Sequence, residues 1–128
     1  MILIATKPRA QPERSGVSLL SLTYIRNGGK VQTTAVVEVD GVEQTYDGVG
    51  TSVENVFVEK MQGLMPGITV ISHQAKKVGK GNAPWKVTVA AKYAGQVEKA
   101  VAYHADANLA GVVALIVALN RHRELRSL

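Results

Sequence analysis

The chain has 128 residues, 15 Lys and Arg against 10 Asp and Glu, and no cysteine. Such a length suits one domain with a real core, and the lack of cysteine excludes disulfides, thiolate metal sites and a cysteine nucleophile. The apolar fraction of 46% argues a folded chain, and the net charge of +5 permits an acidic partner without requiring one.

Residues 1–16 open on a short apolar stretch and continue as TKPRAQPERSG, polar with two prolines. They read as an arm or linker, too short in apolar content for a signal sequence. Residues 17–25, VSLLSLTYI, are strand-like, and Asn27-Gly28-Gly29 is a turn. Residues 31–39, VQTTAVVEV, form a second strand. Asp40-Gly41 then predicts a type I′ hairpin, which needs positive φ at both positions, and residues 42–49, VEQTYDGV, return. A helix follows. Thr51 or Ser52 caps it, and Thr51 with Glu54 forms a capping box. Val53, Val56, Phe57, Met61, Leu64 and Met65 make one apolar stripe, and Pro66-Gly67 ends it.

The pattern then restarts. Residues 68–77 form a strand, VGKGNAP (78–84) a Gly-rich loop, and WKVTVAAKY (85–93) a strand. Ala94-Gly95 is a turn, QVEKAVAYH (96–104) the return strand. Asp106 caps a second helix from Ala107 to about Asn120, and residues 122–128 read as a basic tail. Gly41 and Gly95 are 54 residues apart, as are Ser52 and Asp106. A repeat of that length marks a duplicated supersecondary unit. The fold expected is α+β: two βββα units, 17–67 and 68–121, related by a pseudo-twofold, with antiparallel sheets and the helices packed between them. The longest apolar run, 107–119, falls short of the roughly 20 residues that cross a membrane, so a cytoplasmic chain without a membrane partner is expected.

The second helix, ANLAGVVALIVALN, has almost no polar face, so it should be covered all round. A second subunit against Ala107, Ala110, Gly111 and Ala114 would do this, which favours a homodimer; burial between the chain's own sheets is the alternative.

Little suggests catalysis. His73, His104 and His122 share no metal-ligand spacing: His122 sits in the charged tail and should be solvated, His73 lies in an alternating strand, and His104 either lines a pocket or is structural. Asp40 is explained by its turn, Asp106 by its cap and Glu54 by the capping box, while Asp47 is expected in solvent. No enzyme, metal or cofactor is expected. The stretch GVGTSVENVF (48–57) has two glycines before a helix, too few for a dinucleotide fingerprint and without a Walker lysine. It still offers close backbone approach and free helix N–H groups, suited to a small carboxylate or phosphate; a purely structural turn is the other reading.

The order of elements, the D-G hairpin with its G-x-G loop and helix (37–57), and the closing ADANLAGVVALIVALNR with its A-L-N-R end resemble the C-terminal regulatory domain of α-isopropylmalate synthase, also carried by citramalate synthases. The resemblance covers residues 17–121. It implies a non-catalytic dimeric module that binds leucine or isoleucine and inhibits a separate catalytic domain. By position, it implies ligand contacts from Gly48, Val49, Gly50, Thr51 and Val53 in the first unit and Ala102, Tyr103, His104 and Ala105 in the second. The chain departs from the family at Ala100-Val101-Ala102, where a second G-x-G is usual, and an added methyl there narrows a pocket. The catalytic barrel is not in this sequence, which reads as an excised domain or a free-standing relative.

Two other readings stand beside this one. A βββα core and basic charge also suit a nucleic-acid-binding domain, with Lys76, Lys77, Lys80 and Lys86 as the patch and Trp85 to stack. A module that only dimerises is the third.

Overall fold

The computed structural model describes residues 16–126. Eight elements follow in chain order: β1 (Val17–Asn27), β2 (Lys30–Val39), β3 (Val42–Gly50), α1 (Val53–Met61), β4 (Thr69–Lys77), β5 (Trp85–Tyr93), β6 (Gln96–His104) and α2 (Ala107–Arg126). They form two antiparallel sheets, β1-β2-β3 and β4-β5-β6. The α+β architecture of two βββα units is therefore the observed fold. The N-terminal arm lies outside the described residues, except for Gly16.

The repeat holds in detail. β3 and β6, like the starts of α1 and α2, are displaced by 54 residues. Both first strands carry a bulge against the middle strand, at Leu20 and at Ile71. These bulges are 51 residues apart, so the longer loop after β4 absorbs the remaining three. A bulge bends its strand and raises the local twist, and the two bulges fall at corresponding places in the repeat. Both hairpin turns take positive φ at both central residues, 52° and 88° at Asp40 and Gly41, 52° and 82° at Ala94 and Gly95.

Alternation sets the inner faces. Val31, Thr33, Ala35, Val37 and Val39 of β2 are buried, as are Val87, Val89 and Ala91 of β5. α1 packs on β2 and β3 and touches α2; α2 packs on β5 and β6 and reaches β1 of the other sheet. The helices thus lie between the sheets. Phe57, Met61, Ile68, Leu115 and Leu119 fill the middle.

The structure revises three expectations. α1 stops at Met61, sooner than its apolar stripe, because the chain tightens there: Leu64 and Met65 both donate backbone N–H groups to the Met61 carbonyl. α2 does not end near Asn120 but continues through Arg126, and within that extension His122 is buried rather than solvated. Its Nε2 lies 3.0 Å from the Ala91 carbonyl and its ring packs edge-on against Tyr93. Finally, no residue of α2 before Arg121 is exposed within the single chain. The apolar surface of this helix is covered by its own sheets and α1, so it supplies no argument for a second subunit. Among the described residues no helix is long and apolar enough to cross a membrane.

Candidate functional site

The first candidate region is where β3 passes into α1. Gly48 and Gly50 are strand residues whose inner faces meet the helix that follows. A Cβ on Gly48 would lie 2.8 Å from Val56 Cγ1 and 3.1 Å from Lys60 Cε; one on Gly50 would lie 3.0 Å from Val56 Cγ2. The close approach these glycines permit is that of α1 onto β3. Val49 between them points outward and is exposed, and Val53 belongs to the core. Ser52, not Thr51, is the N-cap: its Oγ accepts from the Asn55 N–H at 3.1 Å, while Thr51 Oγ1 accepts from Asn55 Nδ2.

The second region is where β6 passes into α2. Ala102 faces inward and is buried, whereas Tyr103 faces outward. His104 and Ala105 are exposed. Asp106 caps α2, as expected, accepting from the Asn108 and Leu109 amides at 2.8 and 3.2 Å. Its own N–H donates to His104 Nδ1 at 3.0 Å. Burial pushes the Asp106 carboxyl up, but the Tyr24 hydroxyl, the two amides and His104 outweigh burial and hold it below the usual carboxylate range.

The resemblance-implied residues therefore split between two faces. Gly48, Gly50 and Ala102 lie under the helices, while Val49 and Tyr103 lie on the outer faces of different sheets. What joins the two regions is a row that sequence reading missed. Tyr24, Thr33 and Gly48 are paired directly across β1, β2 and β3, so they share the inner face of the first sheet. From the far end of that row the Tyr24 hydroxyl donates to the Asp106 carboxylate at 2.8 Å. In the middle, Thr33 is 1% exposed and its Oγ1 has no partner among the described residues. A buried hydroxyl without a partner costs about 1–3 kcal/mol. Strand alternation alone could have put Thr33 inside; that its hydroxyl is left unpaired could not be read from the sequence.

A reciprocal link runs the other way. Glu54 does not close a capping box; it pairs with His73 Nε2 of β4 and lies over Gly111 of α2. The first strand of each unit thus holds the other unit's helix near its start, through Tyr24–Asp106 in one direction and His73–Glu54 in the other.

The far end of α2 is equally tied. Asn120 Oδ1 accepts from the Val17 N–H at 2.8 Å and Nδ2 donates to the Val17 carbonyl at 2.9 Å. Arg121 donates to the Lys99 carbonyl. Arg123 donates to Asp40 at 2.6 Å, and the Gly16 N–H donates to the same carboxylate at 2.7 Å. Asp40 is thus more than a turn former. The Arg123 guanidinium first, then the Gly16 amide, hold its carboxyl low against a smaller effect of burial. Asn120 and Arg123 thus latch the far end of α2 to the first unit, while Arg121 ties it to β6 of its own unit.

The basic residues are divided too. Lys76 and Lys86 are paired on the outer face of the second sheet, while Trp85 pairs with Lys77 on the inner side. Lys80 lies in the loop. Trp85 is therefore not placed to stack beside Lys76 and Lys86; Tyr103, which pairs with Lys86, shares their face. Among the described residues no three His, Asp or Glu side chains gather as a metal site. The geometry defines a class, a duplicated βββα sandwich cross-linked at both helix starts. Comparison with protein-family models and with curated proteins finds no match.

Proposed function

We propose that the chain is a non-catalytic regulatory module of the α-isopropylmalate synthase type. On this reading it pairs with a second copy and binds a small branched-chain amino acid, leucine or isoleucine, between the starts of its two helices. The observation that carries the binding is the buried, unpartnered Thr33 hydroxyl, flanked in its row by Gly48 and by Tyr24, which itself reaches Asp106.

The two helix starts differ in a way that suits a zwitterion. α1 is capped by a neutral serine, and its one first-turn acid, Glu54, is engaged by His73. Its positive end favours a carboxylate. α2 is capped by the Asp106 carboxylate, which repels a second anion and attracts an ammonium group. An amino acid lying between them would take opposite ends of one molecule to opposite charges. The apolar side chains of the junctions favour an aliphatic ligand over a charged one.

Calorimetric titration of the purified chain with leucine, isoleucine and valine tests this. Heat and a raised melting temperature are expected with one of the three. Thr33→Val, which removes the hydroxyl from that row, should weaken binding about tenfold. Silence with all three ligands, or unchanged affinity in the variant, would overturn the reading.

A further inference from the structure

The outer face of the second sheet is basic and carries an exposed aromatic ring. Residues directly opposite in an antiparallel pair share a face. Lys76 of β4, Lys86 of β5 and Tyr103 of β6 form one row across it. Farther along the same face Lys99 is opposite Ala90, and Lys92 is opposite Val97. All four lysines are exposed, and Tyr103 is 59% exposed. Glu98, the one acid in β4, β5 or β6, is opposite the buried Ala91 and so belongs to the inner side. Among the described residues no carboxylate pairs with any of these lysines. Lys80 lies in the loop that joins β4 to β5, just beyond the Lys76–Lys86 pair.

Two lysines directly opposite each other destabilise a sheet by themselves. A polyanion laid across them replaces that repulsion with attraction. From Lys86 to Lys92 the face runs about 20 Å, six residues of about 3.3 Å each. Tyr103 stands at the Lys86 end, and Val101 beside it, 43% exposed, adds apolar surface between the two ends.

We propose that this face binds single-stranded nucleic acid, with the lysine ammonium groups on phosphates and the Tyr103 ring stacked on a base. Every base has a π face, so an exposed ring among cations holds a strand without reading its sequence. A duplex fits less well. Its bases are already stacked on one another, and three strands about 4.8 Å apart make a face about 14 Å across, wider than the major groove of about 12 Å. The free energy comes from counterions released at the phosphates rather than from buried area, so a small face suffices for binding in the range of about 10⁻⁴–10⁻⁶ M. The proposal is independent of amino-acid binding and stands if that reading fails.

Fluorescence anisotropy tests it, with the full chain titrated into labelled single strands of deoxythymidine and of uridine, each about 12 nucleotides long. Saturable binding is expected to at least one of them. Four phosphate contacts at about 0.7 each predict that log K falls against log salt with a slope of about −3. Lys76→Gln with Lys86→Gln should weaken binding at least tenfold at low salt and roughly halve that slope. Lys30→Glu, which removes the same charge from the other sheet, should leave the slope unchanged. Tyr103→Ala should weaken binding at least fivefold at an unchanged slope, and Tyr103→Phe should retain it. Circular dichroism checks the fold of each variant, and Lys86→Gln alone should shift affinity in the same direction if the double change disturbs folding. Overturning results are no binding to either strand at low salt, a duplex of equal length bound more tightly than the strands, or an affinity that the lysine changes leave unmoved. Unaltered affinity in Tyr103→Ala, with inorganic polyphosphate competing fully, would reduce the face to a charge sink and also overturn the proposal. So would binding to phosphatidylserine vesicles in preference to both strands.

Discussion

The carboxylate of Glu54 rests on the backbone of Gly111, so near that a β-carbon at position 111 would lie 2.5 Å from Glu54 Oε2. This contact is where α1 and α2 come together, and it is why a glycine stands in the second turn of a buried helix. Glycine there sacrifices about 1 kcal/mol of helix propensity relative to alanine.

Gly111→Ala should therefore have two effects that nearly cancel. The methyl displaces the Glu54 carboxylate and breaks its pairing with His73, while the helix gains propensity. In a Glu54→Ala background only the gain remains, and the same change should stabilise by up to about 1 kcal/mol. Chemical denaturation of the four proteins of this double-mutant cycle measures the coupling. Additive effects would contradict the contact.

Acid should loosen the molecule through Asp106 and Asp40. Both carboxyls are held below the ordinary value, so the folded state binds protons less readily than the unfolded chain. Their stabilisation is present above the unfolded value of about pH 3.9 and is lost as pH falls through the folded values. Asp106→Asn retains a good cap but no titrating group. Its melting temperature should fall less steeply than that of the wild type below about pH 4. An identical slope would show that Asp106 contributes nothing to acid sensitivity.

Much of this fold is written locally. Asp40-Gly41 and Ala94-Gly95 announce the hairpins, alternation announces β2 and β5, and the 54-residue offset announces the duplication. What escaped was set by partners distant in sequence. Glu54 fits a capping box by spacing, but His73 of the other unit captures it. His122 stands among charges, yet the Ala91 carbonyl and the Tyr93 ring enclose it. Of the candidate site, the two strand-to-helix junctions were legible, whereas the Tyr24–Thr33–Gly48 row depends on strand register.

Asn120 should matter more than an ordinary helix-end residue. Asn120→Ala leaves both backbone groups of Val17 without their side-chain partner, in a partly buried setting. A loss of about 1–3 kcal/mol is expected. Hydrogen exchange should then show faster opening at the start of β1 than at β5; uniform protection would argue that the latch is unimportant.

Ala94 adopts positive φ, where Asp40 stands at the matching turn. Alanine in that region costs about 1–2 kcal/mol, and asparagine tolerates it better. Ala94→Asn should raise thermal stability by up to about 1 kcal/mol. A drop would mean that the methyl makes a contact outside the single chain.

The crossed links also govern what happens to a severed chain. A nick at Gly67 would yield a pair of fragments whose helices are held at their starts by each other's strands. Neither piece keeps its anchors alone, so reconstitution would require the complementary half. In a concentrated sample that half can come from a neighbour.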